Sequence, residues 1–123
     1  MQRDETVNAR DLAIVEKYEA TVSYLYPILQ SFPRRHGVLR DRMMGMLMDM
    51  VSLLYQAAKS KQASRLYAAD THLASLRFWL RFAFDRRLLS PRQHHVALRH
   101  IAETGAMLGA WIRDAKSNGR LGQ

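Results

Sequence analysis

The run Met43-Met-Gly-Met-Leu-Met-Asp-Met-Val-Ser-Leu-Leu-Tyr-Gln56 decides how this chain folds. Wound as a helix, Met43, Met44, Met46, Leu47, Met48, Met50, Val51, Leu53, Leu54 and Tyr55 cover most of its circumference. The polar remainder, Gly45, Asp49, Ser52 and Gln56, forms one narrow stripe. A helix that is apolar nearly all round has to be buried nearly all round. A small domain leaves most helices with one wet face, so a second protein surface is expected to cover the rest. Methionine here reads as adaptable filler for core and subunit interface, in preference to a promiscuous partner groove. Asp49 interrupts the apolar run, which is far shorter than the roughly 20 residues of a membrane helix.

The flanking punctuation sets the ends of this helix, expected over about Val38 to Lys59. Upstream, Leu12, Val15, Tyr18, Val22, Leu25 and Leu29 recur at steps of three and four, which predicts a helix from about Arg10 to Ser31. Pro27 removes one backbone donor near its end, and Phe32-Pro-Arg-Arg-His-Gly37 breaks it. Downstream, a helix over about Ala63 to Leu88 has Leu66, Ala69, Leu73, Leu76, Leu80 and Ala83 as its core stripe. Phe78, Trp79 and Phe82 are expected on the opposite side, where clustered aromatics mark an interface. Ser90-Pro91-Arg92-Gln93 has an N-cap serine, proline at the first position and glutamine three after the cap. The helix it starts is expected to reach about Lys116, with Asn118-Gly119 as the stop. No segment alternates with period two at strand length. The fold class is all-α, an antiparallel four-helix bundle in one domain, residues 1–123, with disordered ends at about 1–9 and 117–123.

The chain has 123 residues, room for one core, and no cysteine. Disulfides, thiolate metal sites and cysteine nucleophiles are thereby excluded. The polar, acid-bearing start, Met1 to Asp11, is neither a signal nor a transit peptide, and a cytoplasmic protein with no membrane partner is expected. Lys and Arg number 19 against 11 Asp and Glu, and the excess is uneven. Residues 1–60 hold eight cations and seven acids, net +1; residues 61–123 hold eleven and four, net +7.

On the fourth helix, Arg92, His95, Arg99 and Arg113 share a face opposite Ala97, Ile101, Leu108 and Ile112, with Glu103 the acid nearby. Arg77 and Arg81 lie one turn apart beside the third helix's core stripe. Lys59, Lys61 and Arg65 add charge at the second connection, and Lys116 and Arg120 extend it at the C-terminus. This pattern suits a phosphate-binding surface for RNA or DNA, salt-sensitive and largely blind to sequence. A solvated face is the alternative, and for Arg77 a pairing with Asp70, two turns earlier.

Catalytic chemistry is not spelled out. The glutamates Glu5, Glu16, Glu19 and Glu103 form no Glu-x-x-His motif, and His94, His95 and His100 do not give the spacing of a zinc helix. Capping or surface roles suit these histidines better. Gly105 and Gly109 lie inside the fourth helix, where small residues four apart permit close packing. No enzyme, cofactor or metal is expected.

Several segments in order carry a resemblance. They are Ile14-Val-Glu-Lys-Tyr18, Ser23-Tyr-Leu-Tyr-Pro27, Phe32-Pro-Arg-Arg-His-Gly37, Lys59-Ser60, Leu66-Tyr-Ala-Ala-Asp70, Leu76-Arg-Phe-Trp-Leu-Arg-Phe82 and Ile101-Ala-Glu-Thr-Gly-Ala-Met-Leu-Gly-Ala-Trp111. Over roughly residues 14–113 the chain resembles the accessory variability determinant (Avd-like) proteins of diversity-generating retroelements. The resemblance implies a four-helix bundle assembled into a pentameric basic barrel. It implies a non-catalytic partner of the retroelement's reverse transcriptase that also binds nucleic acid, in a complex making adenine-mutagenised DNA copies of a template RNA. It carries partner binding first to Arg77 and Arg81. One departure is Ala106, where the family commonly has a basic residue, so the fourth-helix stripe is one charge poorer. Proteins encoded in intervening sequences of 23S ribosomal RNA genes share the bundle and the Gly105-to-Trp111 ending, and stand as the alternative, with a purely protein-binding scaffold. Phe78, Trp79, Phe82, Met44 and Met48 are the expected oligomer contacts.

Overall fold

A computed structural model describes residues 9–60 and 62–122, with side chains at 13–60 and 62–117. Lys61 and the side chains of Leu12 and Arg120 lie outside the described residues, as do the expected loose ends at 1–8 and 123. Four helices follow one another: α1 (Ala9–Gln30), α2 (Gly37–Ser60), α3 (Ala63–Asp85) and α4 (Pro91–Gly122), with a 3-10 turn at Arg34–His36 before α2. No strand occurs among the described residues. Each helix packs against its two neighbours in the cycle α1–α2–α3–α4–α1. With such short connections, consecutive helices run antiparallel and enclose one core.

The expected stripe of α3 is the observed one: Leu66, Ala69, Leu73, Leu76, Leu80 and Ala83 are all buried. In α1 the buried line is Ile14, Tyr18, Thr21, Leu25 and Leu29, continued by Phe32; Val15 and Val22 only flank it. The helical period was right and its phase was off by half a step. Residues at steps of three and four fit two adjacent lines, and only the neighbouring helix selects between them. Ile14 and Thr21 show the selection, being fully buried where Val15 and Val22 only flank the core. Tyr18, common to both lines, donates its hydroxyl to Leu47 O at 2.6 Å and pins α1 to α2.

Within one subunit α2 is less buried than its composition demands. Met43, Leu47, Met50, Leu54, Ala57 and Ala58 face the core. Met44, Met46, Val51 and Leu53 are half-buried, but Met48 is 54% exposed and Tyr55 38%. The wet stripe is therefore wider than its polar residues.

Helix ends follow local chemistry. At the start of α4, Gln93 N–H donates to Ser90 Oγ at 3.0 Å and Ser90 N–H to Gln93 Oε1 at 2.9 Å, a reciprocal capping box. α3 stops at Asp85, three residues before the expected end. Arg87 takes a left-handed φ of 63°, Arg87 N–H donates to Phe84 O at 2.9 Å, and Leu88 N–H to Ala83 O at 3.0 Å. Those two bonds define a Schellman closure with arginine where glycine is usual. At the other end, α4 passes through Asn118-Gly119 to Gly122, so the expected stop is not used and helix replaces the expected loose tail at 117–122. Gly105 and Gly109 of α4 are not required for close packing. A Cβ on Gly105 would meet Leu73 Cδ2 at 3.6 Å, and on Gly109 only Arg113 Nη1 of its own helix at 3.6 Å, both ordinary contacts.

Candidate nucleic-acid interface

The buried line of α4, Ala97, Ile101, Thr104, Leu108 and Trp111, turns the opposite arc of the helix outward. Arg92, His95, Arg99 and Arg113 stand on that arc, and all are exposed. Ile112, expected in the core, is half-buried at its edge. Glu103 is neutralised from α1 by Lys17 at 3.9 Å. Among the described residues Arg92, Arg99 and Arg113 join no ion pair.

Arg77 and Arg81 project where α3 meets α4. With Ala74, Phe78, His94 and Leu98 they line a hollow of about 430 Å³. No ion pair joins Arg77 to Asp70 among the described residues. Arg81 Nε lies 3.8 Å from Asp85 Oδ2, one turn on, with both side chains more than half exposed. Such pairs contribute about 0–1 kcal/mol and exchange readily for another anion. His94 packs flat on Phe84, ring centroids 4.4 Å apart and planes 17° from parallel. Burial holds its pKa below the ordinary 6.5; the nearby Arg81 charge adds to this and Asp85 opposes it. His100 lies tilted against Tyr24 at 5.7 Å. Of the three clustered histidines only His95 is a surface group; the other two are half-buried against aromatic rings, in place of the capping or surface role expected of them.

Of the cations of the second connection, Arg65 and Lys59 are engaged elsewhere. Arg65 Nη1 donates to Gln56 Oε1 at 2.8 Å, tying α3 to α2 on the far side. Lys116 sits 5.8 Å from the Tyr67 ring, between α4 and α3.

The aromatic cluster is continuous but does not lie wholly opposite the core. Trp79 meets Phe78 edge to face at 5.0 Å and Phe82 at 5.3 Å. Trp79 is half-buried against the core and closes a hollow with Val38, Leu39, Arg42, Met43 and Met46 of α2. Phe82 is half-buried with Arg86 Cζ 3.8 Å above its ring; only Phe78 is open, 59% exposed. Met44 lines a separate hollow with Tyr26, Gln30, Arg40 and Asp41, on the α1 side of α2. The five expected oligomer contacts therefore divide between two sides of the subunit.

One basic region was missed. The α1–α2 and α3–α4 connections lie at the same end of an up-down bundle. Arg34, Arg35, Arg42, Arg86, Arg87 and Arg92 are all exposed there. The acids described at that end already have arginine neighbours on their own helices, Asp41 beside Arg40 at 2.9 Å and Asp85 in its loose pair with Arg81. Charge summed by halves of the chain averaged Arg34 to Arg42 against the acids of α1, and hid it.

Four helices around one core, with a basic outer side on α3 and α4, define a basic four-helix bundle. No described helix is long and apolar enough to cross a membrane, and no three His, Cys, Asp or Glu among the described residues could together hold a metal ion. The bAvd-like family pattern matches residues 12–115, and the chain belongs to that family. No curated protein matches it.

Proposed function

We propose that this protein is a non-catalytic accessory subunit of a diversity-generating retroelement. It engages the reverse transcriptase and the template RNA or its DNA copy through the outer side of α3 and α4, in a bacterial cytoplasm. The observation that carries this reading is the set Arg77, Arg92, Arg99 and Arg113, exposed and without acid partners among the described residues, in a chain of the bAvd-like family. Guanidinium groups left in this state meet phosphate oxygens in a bidentate manner and release counterions from the polyanion. The ligands are positioned, with no bond made or broken by this chain. Five subunits close into a ring in which the Met44 and Met48 edge of one meets the Trp79 and Phe82 side of the next, which accounts for two separate apolar sides.

The test is to tag the protein in its host, crosslink it and sequence the recovered RNA. A template-repeat transcript is expected. Ribosomal RNA fragments would replace this reading with the intervening-sequence one, and background alone would reduce the protein to a scaffold. In the same cells, Arg77→Ala with Arg81→Ala should abolish polymerase pull-down and leave the oligomer intact. Undiminished pull-down by the folded double variant removes those two residues from the contact.

A further inference from the structure

We propose that the α3–α4 hollow is a stacking site for an unpaired nucleobase, with the Phe78 ring as platform and Arg77 and Arg81, on one flank of it, holding the phosphates before and after the base. This rests on the nucleic-acid binding proposed above and specifies what part of the strand is held, and where.

Phe78 is 59% exposed, although large aromatic rings usually bury most of their surface. Its neighbours on α3 are arginine one residue before and arginine three residues after, and on the helix both cations, themselves one turn apart, lie on the same flank of the ring. All three line the same hollow, of about 430 Å³, within the size range of small-ligand sites. Among the described residues neither arginine is held elsewhere: Arg77 has no ion pair, and Arg81 has one exposed contact at 3.8 Å that a phosphate can displace. The α4 wall is firm and uncharged at neutral pH. Leu98 is half-buried, and His94 is clamped on Phe84 with its charged form disfavoured.

A single strand supplies what this arrangement lacks, a π face at every nucleotide with a phosphate before and after it. A duplex keeps its base faces stacked inside and offers the ring nothing. An acidic peptide would answer the guanidinium groups and leave the ring wet.

The experiment uses the full chain and fluorescence anisotropy with a labelled oligouridylate of about 12 nucleotides and a duplex of equal length. Phe78→Ala should weaken single-strand binding about tenfold while duplex binding and the salt slope stay as in the parent. Phe78→Trp should restore it. Circular dichroism and light scattering check fold and mass on the same samples. Unchanged single-strand affinity in Phe78→Ala overturns the stacking site and leaves the proposed function standing. So does an equal loss for strand and duplex, or a fall in oligomer mass, which would return Phe78 to a subunit contact. A parent protein that binds neither probe at low salt ends nucleic-acid binding itself, and the stacking site with it.

Discussion

His94 is the residue whose surroundings carry a pH dependence. Its Nε2 is buried with no hydrogen-bond partner, its ring lies on Phe84, and Arg81 stands close enough to oppose a second positive charge. The folded pKa is therefore below the unfolded value of 6.5, so the native form is the neutral ring. Above that value both states are neutral and the full stability is present. As pH falls from 6.5 through the folded pKa, the unfolded chain takes the proton first and stability is lost. The urea midpoint should be lower at about pH 5 than at about pH 7.5, and His94→Phe, which keeps the stack, should shrink that difference. Equal pH dependence in parent and variant would show that other groups set it. His94 also shows what the sequence hid. Its spacing from His95 and His100 is visible, but Phe84 comes against it only when α3 folds back on α4.

Among the elements, the end of α3 is where backbone and charge pull in different directions. Arg87 holds a left-handed conformation that glycine adopts without cost, in a closure made by Arg87 and Leu88 N–H groups. Arg87→Gly should raise stability by about 0.5–1 kcal/mol in urea unfolding, since relief of the strained φ outweighs the added freedom of the unfolded chain. The same variant removes a cation from the basic end of the bundle, so the slope of log affinity for nucleic acid against log salt should fall by up to about one. A loss of stability would mean that the Arg87 side chain contributes more than its backbone costs. Nothing in the sequence Phe84-Asp-Arg-Arg-Leu88 marks the turn, because neither glycine nor proline occurs there. The Ser90-to-Gln93 capping box was legible because both its bonds lie within four residues.

At the scale of the whole molecule, apolar surface is left in water: Val38 is 80% exposed, Phe78 59% and Met48 54%. Separately these are ordinary; with half-buried Trp79 and Phe82 they mark sides that self-association would cover. Light scattering at micromolar concentration should report several times the 14.2 kDa of one chain. A monomer mass would leave the apolar sides to another protein and remove the ring. Binding of nucleic acid should weaken steeply with salt, as log affinity against log salt, in proportion to the phosphates neutralised.

The sequence by itself determined whatever is local in the chain. A period of three and four is a property of one helix, so the four helices and the whole α3 stripe could be read without a partner. Proline, glycine and the serine cap act within a turn, so two of the three breaks were legible as well. The arginines of α4 were placed on one face for the same reason, since a helix fixes which of its own residues share an arc. Only the tertiary structure decided which of two adjacent lines α1 buries, since the neighbouring helices cover Ile14 and Thr21 and leave Val15 and Val22 at the core's edge. It decided that Arg77, Phe78 and Arg81 share a hollow with His94 and Leu98, and that Arg65 is occupied by Gln56. It also gathered Arg34, Arg35 and Arg42 with Arg86, Arg87 and Arg92 at one end. Charge acts through space, and residues some fifty positions apart become neighbours only when the up-down topology returns the chain to the same end.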